Sequence, residues 1–528
     1  MPLGTPIQSD GDAGFIGMAS RDNPSAIAAG YVQYAQNLRF DRGVASVRSG
    51  SRRLTAGDAV GQVIYGSGVW SDPATGAEKI VLLGGTALYA FDADTGGVTR
   101  VDYPAGQTIA VPDAVDAFQA NQLLYIMRGQ DSGKSPLIWD GVGTITVAPS
   151  AVTSGASANF PPADFGLYFQ NRIVVKRDRD QIAASDLLDF NTWDLTFNQW
   201  QINLGSNDFI VGFQPWQEDK FIIFQRNSIQ YAYIDPNGYA AGAGPGGGSY
   251  VKSLTSEIGC VARRSIVGAG ENLFFLSDSG VHLLTPSLDL KLLGNQRPLS
   301  EPISDLIARI NAAAVASATG VIFNNRYYLS VPLDDAVRNN AVLVYSLLNK
   351  AWESLDTYPA GMFLDQFHVV RRGQSRRLFA VNAEGGIYLL EELTQDEFGI
   401  VVGNPILPFT LPAILDVEFV RHNIAGQLLT RRYTFGTFQE KRFCSAQADF
   451  LMRAGDAATV TAELVNPDAS LEVIAFGSST EEDYTRRARL GRSAYGLDLR
   501  FASVTGQPTV RGLMVEATVP GATLRDEE

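Results

Sequence analysis

The chain has 528 residues, of which 45% are hydrophobic and 19% charged, so a large buried core is possible and general disorder is excluded. Its formal net charge of −14 argues against a dedicated nucleic-acid-binding protein, because phosphate binding depends on clustered Lys and Arg. Only two cysteines are present, Cys260 and Cys444, which excludes a disulfide framework and a cysteine-based zinc site.

Residues 1–58 are predicted to be an extended N-terminal arm with one hairpin. The hairpin joins residues 33–40 to 44–48, and its strand either belongs to a free arm or closes the ring of sheets predicted next. The N-terminus lacks the basic and apolar regions of a signal peptide, and no apolar run reaches the roughly 18 residues of a membrane helix. We therefore expect a protein made in a cytoplasm, with no membrane insertion by this chain.

Residues 59–395 contain short runs rich in Val, Ile, Phe and Tyr that are bounded by Gly, Asp, Asn or Pro, as strands are. The runs form groups of about 35 to 50 residues with about four strands each. One such sheet cannot bury both faces alone, whereas a ring of sheets can, so the spacing predicts a β-propeller of six or seven blades. A pair of β-sandwiches is the alternative, but recurrent turns such as residues 94–97 and 277–280 favour the propeller.

Helical periodicity is confined to one stretch between Ser300 and about Ser317. Ser300 can cap a helix there, and Ile303, Leu306 and Ile310 recur at helical spacing. A single helix in a chain of this length predicts an all-β protein.

A glycine-rich segment between two strand runs of the propeller is predicted to be a mobile loop. It matches the spacing of a dinucleotide-binding motif, but strand-like residues follow it instead of a helix, so no phosphate site is expected. Its backbone freedom predicts that it reaches into a channel or toward a partner and changes shape there. The glycines concerned are Gly238, Gly242, Gly244, Gly246, Gly247 and Gly248.

Residues 396–528 contain about seven runs in which apolar and polar side chains alternate, which is typical of strands with one buried face. They predict a C-terminal β-sandwich. An arginine cluster in this region follows an acidic stretch and is a candidate contact to an acidic neighbouring subunit, with a solvated loop held by local ion pairs as the alternative. The cluster comprises Arg486, Arg487, Arg489 and Arg492.

No enzyme activity, cofactor or metal is predicted. The stretch 129–135 has three residues between its glycines where a P-loop needs four, and the turn at 92–97 lacks the glutamate that would complete a calcium loop. A glycosidase with paired carboxylates stays open. Its candidates would be Asp186, Asp278 and Asp365, although turn capping explains each of them.

Several stretches resemble the tail nozzle or tail hub proteins of short-tailed bacteriophages, also called packaged-DNA stabilisation proteins or tail tubular protein B. The opening carries the resemblance through Phe15-Ile16-Gly17, Asp22-Asn23-Pro24, Asn37-Leu38-Arg39-Phe40 and Gly43 to Gly50. Further similar stretches are Ile258 to Val281, Asn324 to Pro332 with Trp352 beyond it, and Gly491 to Gly506. The likeness spans most of the chain through loose patterns, and the glycine-rich loop has no place in it.

The resemblance implies a structural virion protein that forms a homo-oligomeric, hexameric ring below the tail adaptor ring. Such a ring would line the DNA exit channel, retain the packaged genome, and carry fibres or spikes at its side or tip. Double-stranded DNA would pass without sequence-specific binding, since like charge on wall and DNA avoids trapping the genome. The implied location is the virion tail, assembled in the host bacterial cytoplasm.

The alternative function is a receptor- or glycan-binding propeller, or one that also cleaves glycans. Trp193, Trp200 and Trp216 could stack on sugars, although burial in the core explains aromatic residues of this kind at least as well.

Overall fold

The computed structural model describes residues 7–12, 14–54, 60–110, 115–148, 160–195, 198–203, 205–216, 218–235, 248–270, 272–285, 297–401, 418–466, 471–479 and 483–520. Six strands precede the propeller: β1 (Ile7–Asp12), β2 (Gly17–Met18), β3 (Tyr31–Gln36), β4 (Leu38–Asp41), β5 (Val44–Val47) and β6 (Gly50–Leu54). Strands β4 and β5 pair in an antiparallel hairpin in which Leu38 lies opposite Val47, within the hairpin predicted for residues 33–48.

The first four blades of the propeller are antiparallel sheets whose strands follow chain order. Blade one contains β7 (Ile64–Ser71), β8 (Glu78–Gly84), β9 (Ala87–Asp92) and β10 (Val98–Asp102). Blade two contains β11 (Asp116–Ala120), β12 (Leu123–Met127), β13 (Leu137–Trp139) and β14 (Thr146–Val147). Blade three contains β15 (Gly166–Phe169), β16 (Arg172–Asp178), β17 (Gln181–Ala184) and β18 (Gln199–Gln201). Blade four contains β19 (Ile210–Trp216), β20 (Lys220–Gln225), β21 (Ile229–Tyr233) and β22 (Tyr250–Thr255).

Three more blades complete the ring. Blade five contains β23 (Val267–Ala269), β24 (Asn272–Ser277) and β25 (Gly280–Leu284). Blade six contains β26 (Thr319–Phe323), β27 (Arg326–Val331), β28 (Ala341–Ser346) and β29 (Ala351–Thr357). Blade seven contains β30 (Gln366–Arg372), β31 (Ser375–Val381) and β32 (Ile387–Leu393), and its fourth strand is β6 from the N-terminal segment. Both alternatives for the predicted hairpin are therefore wrong: β4 and β5 join a sheet of C-terminal strands, and the strand that closes the ring is β6, which follows the hairpin.

Hydrophobic clusters fill the gaps between neighbouring blades all the way round. Aromatic pairs mark five of these gaps, with ring centroids 4.7 to 6.0 Å apart: Trp70–Trp139, Phe169–Phe221, Phe224–Phe275, Phe274–Tyr327 and Phe379–Phe91. The last pair joins blade seven to blade one, so the ring is closed. The predicted all-β class and the propeller are confirmed, with seven blades.

The first strand of each blade lies innermost, because these strands contact one another around the axis. The space there is tight. A Cβ atom on Gly66 of β7 would lie 3.1 Å from Val115, and one on Gly212 of β19 would lie 2.7 Å from Ile266. Glycine at these two positions lets adjacent blades approach closely at the centre.

The helix predicted between Ser300 and about Ser317 is wrong in length. The described residues form one α-helix, α1 (Ser304–Ile307), which directly follows a 3-10 turn at Glu301–Ile303, and two separate 3-10 turns at Arg263–Ser265 and Val315–Ser317. After α1 the chain runs beside blade six, where Ile310 forms an isolated β-bridge with Leu333 and the Asn311 amide donates to the Pro332 carbonyl at 2.9 Å. The apolar spacing therefore reflects packing against a sheet. No helix in the described part of the chain is long and apolar enough to cross a membrane.

The C-terminal strands are β33 (Gln395–Val401), β34 (Glu418–Asn423), β35 (Gln427–Thr430), β36 (Lys441–Leu451), β37 (Ala457–Val465), β38 (Leu471–Ser479), β39 (Asp483–Ala494), β40 (Gly496–Thr505) and β41 (Thr509–Thr518). Strands β33 and β34 pair with each other. The others build the predicted β-sandwich around one core. Strand β37 shows the expected alternation of buried and half-buried residues.

N-terminal strands complete both sheets of the sandwich. One sheet has the order β39-β36-β41-β5-β4, with β1 also paired to β41. The other continues from blade six in the order β29-β3-β35-β40-β37-β38. The N-terminal segment is thus shared between the sandwich and blade seven, which ties the two parts together.

Candidate functional site: the junction cluster and the propeller axis

A buried polar cluster lies where the N-terminal segment, blade six and the C-terminal region meet. We call Asn37, Arg39, Arg48, Asp356 and Asp396 the junction cluster. Arg39 binds Asp356 through two hydrogen bonds of 2.6 and 3.1 Å, and Arg48 binds Asp396 through two bonds of the same lengths. Such paired bonds between a guanidinium and a carboxylate fix both orientation and distance.

Arg48 is 1% exposed and uses all five of its N–H groups. Besides Asp396 it donates to the carbonyls of Ser49 and Thr357 and to the Asn37 side chain, at 2.8 to 3.0 Å. Its guanidinium also lies 4.2 Å from the centre of the Tyr358 ring. Burial alone would lower the pKa of Arg48, but Asp396 and the other partners more than compensate and raise it. The group therefore stays charged inside the protein.

Asn37 connects three parts of the chain through one side chain. Its Oδ1 accepts from Arg48 and from the Thr357 amide at 3.0 and 2.9 Å, and its Nδ2 donates to the Ala425 carbonyl at 2.9 Å. Its φ of 55° is left-handed, a conformation that Asn adopts more readily than most residues. The stretches 37–40 and 43–50, which carry the family resemblance, thus supply or flank three members of the junction cluster.

Side chains cross the axis of the propeller. Arg263 and Arg264 precede blade five, and Arg263 binds the Asp116 carboxylate at the start of blade two at 2.7 Å. Arg264 donates to the Val115 carbonyl at 3.2 Å. Since blades two and five are not neighbours, both bonds run across the centre of the ring. Side chains therefore bridge the axis of the propeller where Arg263 and Arg264 meet Val115 and Asp116.

A histidine and a serine meet near the same axis. His368 Nε2 lies 2.6 Å from Ser67 Oγ, and Gln366 Oε1 accepts from both the amide and the hydroxyl of Ser67. Because the only hydroxyl proton of Ser67 points to Gln366, His368 Nε2 must be the donor to Ser67 Oγ. The imidazole then cannot take a proton from the serine, so this arrangement does not activate a nucleophile.

The pair could not be found from the sequence because its members are 301 residues apart. Burial, and then the nearby charge of Arg264, lower the pKa of His368 to about 4. The ring is therefore neutral near pH 7.

This depressed pKa predicts a pH dependence of stability. Below the ordinary histidine pKa of about 6.5, the unfolded chain binds the proton that the folded state refuses, so stability falls as the pH drops from about 6.5 to about 4. We expect a loss of about 2 kcal/mol, less than the full shift would give because the ring is only half-buried. Urea unfolding of the wild type and of His368→Gln at about pH 7 and about pH 4 measures it. An equal loss in both proteins would contradict the assignment.

One mouth of the axis opens into a cavity of about 640 Å³. Blades one to five and the segment 312–316 form its wall. Aromatic rings and cations face it: Tyr65, Phe165, Phe209, Lys176, Arg226, Arg263 and Arg264.

The predicted channel loop falls largely outside the described residues. Gly238, Gly242, Gly244, Gly246 and Gly247 lie there, between β21 and β22 of blade four. Gly248 is described and exposed, and its amide donates to Asp235 at 3.1 Å. That the loop contacts a channel or a partner stays a prediction.

The arginine cluster lies on β39, a strand at the edge of its sheet, and not in a loop. Arg487 pairs with Glu516, and Arg492 binds Glu472 at 3.0 Å. Arg486 is half-buried, whereas Arg489 is exposed. Local ion pairs therefore occupy Arg487 and Arg492, and Arg489 remains the best placed for an intermolecular contact.

The candidate acids of a glycosidase lie in three different blades. Asp278 is paired with Arg226, and Asp365 with Arg338. Asp186 accepts a hydrogen bond of 2.9 Å from Asn198, and its pKa is raised mainly by burial. Within the described ranges, no group of three His, Cys, Asp or Glu residues could hold a metal ion.

The tryptophans proposed for sugar stacking are mostly inside the molecule. Trp193 is 0% exposed and Trp216 is 3% exposed, each in the core between two blades. Trp200 is half-buried. Burial explains Trp193 and Trp216, which cannot present a face to a glycan.

No protein-family model matches the sequence, and no curated protein matches it significantly. Among solved structures, a chain of the mitotic checkpoint complex is 10% identical over 65% of this chain and 93% of that one, with a TM-score of 0.38. YCF48 from Cyanidioschyzon merolae is 9% identical over 65% and 98%, with a TM-score of 0.37. A glycoside hydrolase is 13% identical over 86% and 97%, with a TM-score of 0.27. Structural similarities this low carry no argument about function. The order of the strands and the seven hydrophobic clusters between the blades show that the chain is a β-propeller protein.

Proposed function

We propose that this chain is the tail nozzle, or tail hub, subunit of a short-tailed bacteriophage. In this role it forms a homo-oligomeric, hexameric ring that lines the DNA exit channel, retains the packaged genome and conducts it during ejection. The observation that carries the proposal is that the stretches resembling this family, 37–40 and 43–50, supply three of the five residues of the junction cluster. The resembling residues are thus tied to the internal framework of the subunit.

The junction cluster is suited to a subunit that has to withstand mechanical force. A subunit that retains packaged DNA has to resist an outward force, and domains joined only by a flexible linker would yield to it. Here blade seven takes its fourth strand from the N-terminal segment, and the sandwich shares one continuous sheet with blade six. Force applied to the sandwich is therefore transmitted to the propeller through paired strands and buried ion pairs.

The bridged axis bears on the path that we propose for DNA. Since the ion pair between Arg263 and Asp116 crosses the centre of the propeller, the passage in the proposed ring would follow the axis of the ring and not that of a propeller. A closed ring needs a heterologous interface between subunits. The net charge of −14 keeps the wall from holding the DNA. The adaptor ring above and the fibres or spikes at the side or tip are the expected protein partners.

Electron microscopy of the purified full-length chain tests the proposal. We expect rotationally symmetric rings that increase with protein concentration, and gold-labelled antibody against the chain should decorate phage tails. A chain that stays monomeric at every concentration and does not label virions would refute the proposal.

Arg489→Glu is expected to weaken ring assembly. The change places a negative charge on the exposed face of edge strand β39, where a contact to an acidic neighbour would become repulsive. We expect the protein concentration at half-assembly to rise by about fivefold or more, measured by sedimentation velocity, since a charged contact is worth about 1 kcal/mol or more. Arg179→Glu, in an exposed turn of blade three, is the control. Equal effects of both changes would remove Arg489 from the interface.

A further inference from the structure

The cavity at the mouth of the propeller axis holds an unbalanced positive charge. Four cations line it, and three of them each hold a carboxylate: Lys176 with Asp164 at 2.6 Å, Arg263 with Asp116 at 2.7 Å, and Arg226 with Asp278 at 2.7 Å. The fourth is Arg264.

Arg264 has no carboxylate within ion-pair distance among the described residues. Within the described ranges its side chain makes one hydrogen bond, from Nη2 to the Val115 carbonyl at 3.2 Å, although a guanidinium offers five N–H donors. Burial, and then the neighbouring charge of Arg263, lower the pKa of Arg264 to about 10, so it remains charged near neutral pH. Asp116 and Asp365 favour the charged form of Arg264 from a longer distance, but no described carboxylate bonds to it, so an anion in the cavity would supply the direct partner that the described residues do not.

The rest of the wall can take the carbon part of a ligand. Tyr65, Phe165 and Phe209 present aromatic rings, and Phe209 is 41% exposed. On another side, Ala312, Ala313 and Ala316 leave room because their side chains are short. A cavity of this size whose wall combines apolar surface with a few converging charged groups suits a small molecule that has both an apolar and a charged part.

We propose that this cavity binds a small molecule through a carboxylate or phosphate group, with Arg264 as its principal ligand. The guanidinium fork matches the oxygens of either group, and the aromatic rings flank the remainder of the molecule. The site is independent of ring formation, so it can exist whether or not the chain is a tail nozzle.

Isothermal titration calorimetry of the full-length chain tests the site with three probes at constant ionic strength: inorganic phosphate, glucuronate and glucose. We expect phosphate or glucuronate to bind with one site per chain and glucose not to bind. Tighter binding of phosphate indicates a phosphorylated natural ligand, and tighter binding of glucuronate indicates an acidic sugar. Arg264→Gln should weaken the binding by at least tenfold, and Arg309→Gln, an exposed arginine outside the cavity, should leave it unchanged.

Three results would overturn the proposal. These are no binding of either anion, equal binding of glucose and glucuronate, and equal anion affinity in the wild type and Arg264→Gln. If Arg264→Gln does not fold, Arg264→Lys is titrated in its place. This variant keeps the charge but lacks the planar guanidinium, and we expect it to bind the anion at least threefold more weakly than the wild type. An unchanged affinity in that variant would equally exclude Arg264 as the ligand. Ring formation, followed separately by electron microscopy, reports on the proposed nozzle role.

Discussion

Replacing Arg48 by Ala is expected to lower the free energy of unfolding by about 3 to 5 kcal/mol, as removal of one partner from a buried ion pair does. The variant leaves the Asp396 carboxylate, which is 3% exposed, without its cation. It also removes one hydrogen-bond donor from each of the carbonyls of Ser49 and Thr357 and from Asn37 Oδ1, which keeps only the Thr357 amide. Equilibrium unfolding in guanidinium chloride measures the loss.

The control is an arginine with the same bidentate geometry at the surface. Arg309 binds Asp334 at 2.6 and 2.8 Å, but the two side chains are 42% and 59% exposed. Arg309→Ala should therefore cost less than about 1 kcal/mol. The loss of stability in Arg48→Lys should lie between these two values, because lysine keeps the charge but lacks the planar guanidinium that binds both carboxylate oxygens. If Arg48→Ala and Arg309→Ala unfold at the same denaturant concentration, the junction cluster does not hold the parts together.

The sequence was sufficient for the fold class because the relevant signals are local. The alternation along β37 and the repeated turns of the propeller both lie within short windows. The same windows could not show which strand closes the ring. Strand β6 contains Arg52 and Arg53 and has little of the Val and Ile content that marks strands elsewhere. Its place in blade seven depends on pairing with β32, more than 300 residues away.

Most residue contacts of the candidate site could not be predicted from the sequence, for a related reason. Arg263 and Asp116 are brought together only by closure of the ring, as are His368 and Ser67. The sequence gives no spacing rule for such pairs, because any two blades can meet at the axis. The arginine cluster was recognised by composition, but only the register of β39 against β36 shows which of its members lie beside an acidic residue.

The residues of the opening stretch have structural roles that composition alone did not reveal. Phe15 and Phe40 are both 1% exposed, with ring centroids 5.9 Å apart. Arg39 lies between Asp356 and Glu391, at 2.6 and 2.7 Å. The pattern of the opening therefore reflects requirements of packing and charge pairing in the subunit, which is consistent with the proposed role as a rigid part of a ring.

Gly50→Ala is expected to lower the free energy of unfolding by about 3 kcal/mol, at the upper end of the usual effect of overpacking. A Cβ atom at this buried position would lie 2.0 Å from the Gln395 carbonyl oxygen and 2.4 Å from its carbon. These are backbone atoms, so no side-chain rotation relieves the clash, and β6 or β33 has to move. Movement of β6 also displaces Ser51, whose amide and hydroxyl bind Asp396 at 3.0 and 2.9 Å. Ring closure and the junction cluster are thus weakened together.

Gly14→Ala is the matched control, since a Cβ atom there would meet nothing within 4 Å and its backbone needs no left-handed conformation. It should change stability by less than about 0.5 kcal/mol. Limited proteolysis adds a local measurement, because a displaced β6 exposes the backbone of β32, and cleavage near residue 390 should be faster in Gly50→Ala than in Gly14→Ala. Equal unfolding midpoints and equal cleavage rates in the two variants would show that β6 can shift without opening the ring, and the closure would then rest on the hydrophobic contact of Phe91 with Phe379.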